Sequence, residues 1–121
     1  MPYELGVDAG NDCIVVTHRG EISLAESRAA QAAVLALAVE RGMARVLIDV
    51  TGITNDFPAV DIFVVSSGLE QPELPRLRGA LLTRSDQQPK ARLLETVASN
   101  RGLDIRSFTE RAEVLAWLSA G

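Results

Sequence analysis

The sequence is poor in cysteine, histidine and aromatic residues, and each shortage narrows the range of possible functions. The one cysteine, Cys13, excludes an internal disulfide, and the one histidine, His18, has no cysteine or second histidine at metal-ligand spacing. Aromatic residues make up 4% of the chain, too few for a platform on which nucleic-acid bases stack. With a net charge of −4 and no run of Lys or Arg, nucleic acid is not an expected partner.

Long apolar runs and catalytic motifs are also missing. No apolar stretch reaches the ~20 residues that a membrane-spanning helix needs, and the first eight residues lack the basic start and apolar block of a signal peptide. The glycines are isolated, so no phosphate-binding loop is present, and the glutamates are too scattered for a paired-carboxylate site. We therefore expect a cytoplasmic protein with no membrane span, no catalytic residues, no metal and no cofactor.

The composition that remains is that of an ordinary globular protein. The chain has 121 residues, of which 47% are hydrophobic and 23% charged. A chain of this length buries roughly two-thirds of its extended surface on folding. No internal repeat, low-complexity tract or linker divides it, so residues 1–121 are predicted to form one domain.

The strongest structural signal is an apolar run in the middle of the chain, Arg45–Gly52. Val46, Leu47, Ile48 and Val50 are almost continuously apolar, whereas a strand with one wet face would alternate. The run therefore predicts a central strand of a sheet that has helices on at least one face. Asp49 interrupts it shortly before the chain is expected to leave the sheet at Thr51–Gly52.

Two shorter runs near the amino terminus predict a hairpin. Tyr3–Asp8 alternates apolar and polar residues, and Cys13–His18 is a second strand-like run after the turn formers of Asp8–Asp12. Cys13 is interpreted as a small core residue rather than a reactive thiol. His18 is interpreted as a solvated residue at the end of the strand rather than a catalytic one.

A helix is predicted after a turn at Arg19–Glu21. Ser23 and Glu26 have the spacing of a capping box, in which each side chain binds the other residue's backbone amide. The helix is expected to continue to Arg41 and to end at Gly42 in a left-handed conformation. Its predicted buried stripe includes Ala30, Val34 and Leu37.

The segment after the central strand is ambiguous. A loop at Thr51–Asp56 is followed by Phe57–Gly68, whose β-branched residues suit a strand. Pro58 near its start, Asp56 as a cap and Gly68 as a stop favour a helix. We predict the helix, because a crossover is needed to reach the next parallel strand.

The last third of the chain alternates strands and helices. Leu77–Thr83 is predicted to be a strand, Pro89 to lie in the first turn of a helix that ends at Asn100–Gly102, and Leu103–Phe108 to be a short strand. Thr109 is predicted to cap a final helix with Glu110 and Glu113 near the positive end of its dipole. The apolar stripes of the two helices are Leu93, Leu94, Val97 and Ala98, and then Val114, Leu115, Trp117 and Leu118.

These elements define an α/β fold in the order β-β-α-β-α-β-α-β-α. Strand–helix alternation implies right-handed crossovers and a mostly parallel sheet, while the opening hairpin contributes one antiparallel pair. We therefore predict a mixed five-stranded sheet with about four helices.

The element order resembles that of the STAS fold, and most closely its SpoIIAA-like (STAS/SEC14-type) group of small bacterial stand-alone domains. The matching stretches are the strand Arg45–Ile53 and the ending Phe108–Leu118, Phe-Thr-Glu-Arg-Ala-Glu-Val-Leu-Ala-Trp-Leu. The resemblance implies a non-enzymatic regulatory module that works through protein partners. In anti-sigma-factor antagonists of the superfamily, a kinase phosphorylates a serine in an Asp-Ser-Ser-Gly-Leu type run after the central strand.

That serine is only loosely matched here. Counted from Asp49 and Gly52, the phosphoacceptor position falls near Phe57–Pro58, where no hydroxyl stands. The run Ser66–Leu69 reads Ser-Ser-Gly-Leu, which matches the end of the family's run. Val65, however, replaces the acidic residue, and the run lies further along the chain. Ser66 and Ser67 are thus either phosphosites or a coincidence of sequence.

A binding surface is predicted where the parallel strands end, because open sheets of this kind bind ligands at their carboxyl edge. Arg84 and helix amides at this edge could hold an anion, or the polar residues could simply be turn and cap residues. Asp49 as the phosphoaspartate of a receiver-like domain is disfavoured, because no acidic pair accompanies it. The candidate edge comprises Asp49, Thr51, Thr54, Asn55 and Asp56 from one loop and Thr83, Arg84 and Ser85 from the next.

Two functions from different classes follow from these observations. The leading hypothesis is a STAS-like interaction module that binds a protein partner or forms a homodimer. The alternative is a binding domain for a small anionic or lipid-like ligand, held by the loops Thr51–Asp56 and Thr83–Gln88. An apolar pocket with inward polar groups would favour the alternative.

Overall fold

The computed structural model describes residues 3–56, 77–100 and 103–120. The predicted helix over Phe57–Gly68 and the candidate phosphosites Ser66 and Ser67 lie outside the described residues. The strands are β1 (Tyr3–Asp8), β2 (Cys13–Gly20), β3 (Arg45–Ile53), β4 (Arg78–Leu82) and β5 (Asp104–Phe108). The α-helices within the described ranges are α1 (Leu24–Arg41), α2 (Gln88–Asn100) and α3 (Arg111–Ser119), and a 3₁₀ turn spans Ser85–Gln87.

The five strands lie in the sheet in the order in which they follow along the chain. β1 pairs with β2 in antiparallel fashion, and β2, β3, β4 and β5 are parallel to one another. The predicted mixed, mostly parallel sheet and its opening hairpin are confirmed. β3 is the third of the five strands, as the apolar run predicted. Of the four predicted helices, three are described, and the second falls outside the described residues.

Both faces of β3 are packed, and this explains its unbroken apolar sequence. Neighbouring residues of a strand point to opposite faces. Val46, 3% exposed, packs in a cluster with α1, whereas Leu47, fully buried, packs in a second cluster with α3. Cys13 belongs to the second cluster and is fully buried, so its predicted place in the core is confirmed. Burial raises the pKa of its thiol.

α1 begins and ends as its sequence predicts. The backbone N–H of Glu26 donates to Ser23 Oγ at 3.1 Å, and Glu26 Oε1 accepts from the backbone N–H of Ser23 at 3.4 Å. Gly42 ends the helix at φ 63° and ψ 34°, a left-handed conformation that glycine adopts without steric cost. The buried stripe consists of Ala30, Val34 and Ala38, and Leu37 lies partly buried beside it.

Two strand ends differ from the predictions. The turn predicted at Arg19–Glu21 is wrong for its first two residues, because β2 continues to Gly20, and β3 continues to Ile53 rather than leaving the sheet at Thr51. Pairing between the strands accounts for both extensions: Gly20 lies opposite Ile53, and the Thr54 amide donates to the Gly20 carbonyl at 3.0 Å. Each strand end is thus held by the other.

The start of α3 also differs. Thr109 was predicted as the helix cap, but Glu110 occupies the cap position and makes no side-chain capping hydrogen bond. Backbone geometry alone defines this end, through the Val114 amide, which donates to the Glu110 carbonyl at 3.2 Å. The predicted apolar side of the helix is confirmed, since Val114 and Leu118 are buried in the core.

The half-buried Trp117 on α3 anchors the helix against the sheet. Its ring lies 5.8 Å from that of Phe108, and the Arg78 guanidinium carbon lies 4.1 Å from the centre of the indole, at cation–π distance. Arg78 Nε is 3.5 Å from Asp104 Oδ2, an ion-pair distance without hydrogen-bond geometry. The indole of Trp117 is therefore a close contact of the Arg78 guanidinium.

Within residues 3–56, 77–100 and 103–120, no helix combines the length and the apolar character needed to cross a bilayer.

We expect Ser23→Ala to lower the free energy of unfolding by about 1 kcal/mol, because the Glu26 amide loses its acceptor and the capping box is broken. Chemical denaturation followed by circular dichroism would measure the change. Ser27→Ala, one turn further into the same helix, is the matched control and should have little effect. An equal loss in both variants would contradict a capping role for Ser23.

Candidate interaction site at the carboxyl edge of the sheet

The candidate edge begins at the end of β3, where Asp49 and Thr51 interact directly. Asp49 Oδ1 accepts from the Thr51 backbone N–H at 3.0 Å and from Thr51 Oγ1 at 2.7 Å. Both residues are half-buried. A carboxylate that bridges the amide and hydroxyl two residues ahead forms a local turn of the Asx type. Asp49 therefore shapes the end of the central strand.

Arg84 joins the end of β3 to the segment that follows β4. Its Nη1 donates to the carbonyl oxygens of Thr51 and of Ile53, the latter at 3.0 Å. Its Nε and Nη2 donate to the two carboxylate oxygens of Asp86 at 3.0 and 3.1 Å. Hydrogen bonding by Arg84 lowers the pKa of the Asp86 carboxyl. The guanidinium is thus held by two carbonyls and a carboxylate.

Gln87 strengthens the same connection, and Gln88 binds Thr83 within the segment after β4. Gln87 Nε2 donates to the Val50 carbonyl at 2.8 Å, and its Oε1 accepts from the Arg84 backbone N–H at 2.8 Å. Gln88 Nε2 donates to Thr83 Oγ1 at 2.6 Å. The tethering role of Gln87 could not be predicted from sequence, because its partner Val50 lies 37 positions earlier in the chain.

Thr83 lies beneath the surface of the edge rather than on it. Thr83 is 1% exposed, and its hydroxyl donates to the Phe108 carbonyl at 3.4 Å. Its backbone N–H donates to the same carbonyl at 2.9 Å. Thr83 therefore ties the exit of β4 to the exit of β5.

Asn55 makes its hydrogen bonds to the segment before α1 and not to Arg84. Its Oδ1 accepts from the Ile22 backbone N–H, and its Nδ2 donates to the Ile22 carbonyl, both at 2.8 Å. Ile22 is buried, so these bonds satisfy backbone groups with little access to water. Thr54, Asp56 and Ser85 are exposed at the surface.

The structure thus divides the predicted edge into two groups. Asp49, Thr51 and Arg84 form one connected network, whereas Asn55 belongs to the junction between β2 and α1. The sequence order of the loops indicated that both groups would lie at this edge. It gave no sign of which side chains would be bound to one another.

His18 differs from its prediction as a solvated residue: it is 7% exposed. Its ring lies 6.3 Å from that of Tyr3, and its Nδ1 has no hydrogen-bond partner among the residues that the structure describes. Burial lowers the pKa of His18, and the negative charge of Asp49 acts weakly in the opposite direction. The sequence did contain a signal, because Ile14, Val16 and His18 alternate and therefore point to the same buried face.

A close approach of two backbones lies next to His18. The register between β2 and β3 shifts between Thr17 and Arg19, and Gly52 lies at the shift. A Cβ atom at Gly52 would lie 2.9 Å from the His18 carbonyl oxygen, closer than real Cβ contacts allow. Glycine is therefore required at this position of the edge.

The residues with a described placement hold no metal cluster, and a surface depression on α2 is lined by polar residues. In those ranges, no three His, Cys, Asp or Glu side chains converge as a metal ion requires. An open depression of about 440 Å³ lies along α2, away from the candidate edge. Its lining is polar and consists of Arg92, Glu95, Thr96, Ser99 and Asn100. Small-ligand sites are usually lined by apolar side chains, which this depression lacks.

Comparison with known proteins identifies the fold. No protein-family model matches the chain, and no curated protein matches it. Among solved structures, it is similar to an uncharacterised protein of the DUF3478 family from Shewanella loihica PV-4, described as having a SpoIIAA-like fold. The similarity has a TM-score of 0.64, covers 96% of this chain and 93% of the other, and is accompanied by 17% sequence identity. The fold is therefore SpoIIAA-like, of the STAS type, and the resemblance seen in the sequence is confirmed for the fold.

Asn55→Ala should lower the free energy of unfolding by about 2 kcal/mol, because the amide and carbonyl of buried Ile22 would both lose their partner. Thr54→Ala, at the neighbouring exposed position, is the control and should change stability little. Urea denaturation of the two variants and the wild type would make the comparison. A neutral effect of Asn55→Ala would show that water replaces the side chain at Ile22.

Stability should fall as the pH decreases below about 6.5, the ordinary pKa of histidine, because of His18. Its pKa is lowered in the folded state, so the unfolded chain takes up a proton first and unfolding is favoured as the pH drops. The effect should begin near pH 6.5 and continue downwards until the folded state also binds the proton.

Denaturation curves between pH 7.5 and about 5.5 would test this dependence. Because the chain has one histidine, His18→Leu removes the contribution entirely and serves as the reference. The difference in stability between wild type and variant should change with pH in this window. A constant difference would contradict a lowered pKa for His18.

Proposed function

We propose that this chain is a non-enzymatic STAS-like interaction module that binds a protein partner or a second copy of itself. The SpoIIAA-like fold supports the class of module. A fold alone does not define a function, so the proposal also needs an observation at the site. The observation that carries the proposal is the Arg84 tether, which fastens the segment after β4 to the end of β3. Two separate loops thereby become one surface of fixed shape.

A fixed surface suits recognition of a macromolecule. Interfaces between preorganised partners avoid the conformational entropy that mobile loops lose on binding. Around the tether, Thr54, Asp56 and Ser85 are exposed and available for contact. Asp49 and Thr51 are half-buried and are hydrogen-bonded to each other. The candidate edge therefore has a hydrogen-bonded inner part and a polar outer surface.

The same contacts favour a protein partner over a small anionic ligand. A free guanidinium would be a natural anion site, but Arg84 donates to two backbone carbonyls and to the carboxylate of Asp86. Four guanidinium N–H contacts are thus already made, and an added anion would be repelled by the Asp86 carboxylate. The chain's net charge of −4 adds to that repulsion.

Bulky substitutions on the exposed part of the edge should abolish capture of the cognate partner. We expect Thr54→Arg and Ser85→Arg to lose a partner that the tagged wild-type protein retains in affinity purification from its native host. Both side chains are exposed and neither hydroxyl takes part in the described network, so folding should be preserved. Quantitative mass spectrometry of the captured proteins is the measurement.

Ala32→Arg, an exposed substitution on α1, is the matched control for charge and bulk. The partner should be recovered with this variant as with the wild type. Retention of every captured protein by the two edge variants would contradict the proposed surface. A stabilising thermal shift on adding inorganic phosphate, abolished by Arg84→Gln, would instead support the ligand-binding alternative.

A further inference from the structure

The amino-terminal strand β1 forms an open edge of the sheet. Among the described residues, β1 pairs with β2 on one side and with no strand on the other. Backbone N–H and C=O groups along such an edge can pair with a further strand. We propose that β1 pairs in antiparallel fashion with β1 of a second copy of the chain. This inference rests on the self-association branch of the proposed function and specifies its surface.

The two edges of the sheet differ in how they are protected. β5, the other edge, exposes the charged residues Asp104 and Arg106 at alternate positions, and both α2 and α3 pack against it. Charged side chains and covering helices are the usual means of preventing edge pairing. β1 also carries charged residues, Glu4 and Asp8, and α1 packs on one of its faces, but it exposes Leu5, which is 36% accessible, at its centre. The β1 edge therefore offers an apolar centre that the β5 edge does not.

One face of β1 is apolar and the other is acidic. Tyr3, Leu5 and Val7 lie opposite His18, Val16 and Ile14 of β2. These β2 residues face the cluster that contains α1, so the apolar side chains of β1 share that face. The alternate residues, Glu4, Gly6 and Asp8, point to the opposite face.

The distribution of acidic residues selects one register for the pairing. In an antiparallel pair, two directly opposite residues either both point their N–H and C=O groups towards the other strand or both point them away. This direction alternates along β1, so opposite residues of two identical strands are an even number of positions apart, and the two-fold axis passes through a residue position. Centring on Gly6 would place Glu4 opposite Asp8 of the second copy, and like charges directly opposite are destabilising. Centring on Leu5 places Glu4 opposite Gly6 instead. The same centring sets Leu5 against Leu5 and Tyr3 against Val7 on the apolar face.

The position of α1 adds a second contact to the same interface. α1 packs over both β1 and β2. Strands lie ~4.8 Å apart, so β1 pairing would place the two α1 helices roughly 10 Å from each other on one face. Packed helices are separated by 8–10 Å, which means that the helices would meet as the strands pair. A two-stranded pair alone is marginally stable, and the helix contact supplies the additional buried surface.

Engineered cysteines test both the pairing and its register. In the proposed pairing, Leu5→Cys sets two thiols opposite each other at the two-fold axis, with Cα atoms roughly 4.5–5.5 Å apart, within the range that a disulfide spans. Gly6→Cys lies two residues away from its copy along the strand, which is too far. The substitution at Gly6 meets no atom within 4 Å, so it should be tolerated. The wild-type chain is the baseline, since Cys13 is fully buried.

Under mild oxidation, the expected result is a covalent dimer of the Leu5→Cys variant on non-reducing gels and none from Gly6→Cys or the wild type. Cross-linking of Gly6→Cys alone, of both variants equally, or of neither would overturn the proposal. Sedimentation velocity over a wide concentration range gives a second readout, in which Leu5→Lys should weaken dimerisation by at least about tenfold. Ala116→Lys, at an exposed position of α3, which packs on the strands at the other end of the sheet, should leave it unchanged.

A monomeric wild-type chain at all concentrations would also overturn the dimer. That outcome leaves the proposed partner surface to be decided separately, because Thr54 and Ser85 are not part of β1. Loss of a heterologous partner in the Thr54→Arg and Ser85→Arg variants can occur whether or not the chain dimerises. If a strand of another protein binds β1 instead, a captured protein would reduce the cross-linking of the Leu5→Cys variant. That result would overturn the pairing of two β1 strands.

Discussion

The packing of β3 on both of its faces is the constraint on which the rest of the fold depends. Val46 and Leu47 are adjacent in sequence, yet they belong to two different clusters on opposite sides of the sheet. Truncating Leu47 to alanine would leave a cavity that costs about 2–5 kcal/mol. Because β3 also pairs with strands on both sides, its position fixes β2 and β4 in register and orientation. The helices then cover a sheet whose centre is already defined.

The features that were predictable from sequence are those determined by local or periodic interactions. The unbroken apolar run of β3 predicted its central place, and Ser23 and Glu26 predicted a capping box that both hydrogen bonds confirm. Gly42 was predicted at the helix end for a conformational reason that involves no distant residue. In each case the physical cause lies within a few positions of the residue itself.

The features that were missed depend on contacts between distant segments. Arg84 binds carbonyl groups more than 30 positions earlier in the chain, and a lone arginine after a strand does not specify such partners. The strand ends at Gly20 and Ile53 were misplaced because each is stabilised by pairing with the other. His18 stands at the end of its apolar run, a position typical of a solvated residue, but it alternates with Ile14 and Val16 and is buried with them.

His18, Gly52 and Asp49 connect the buried core to the candidate edge. The register between β2 and β3 shifts beside His18, and the absence of a side chain at Gly52 allows the two backbones to approach there. His18 is buried at this junction, whereas Thr51 is half-buried and Arg84 is exposed. A larger residue at position 52 would move β2 away from β3 and would disturb His18 and the Arg84 tether together. The shape of the outer surface is therefore determined by a glycine that contributes no side-chain contact of its own.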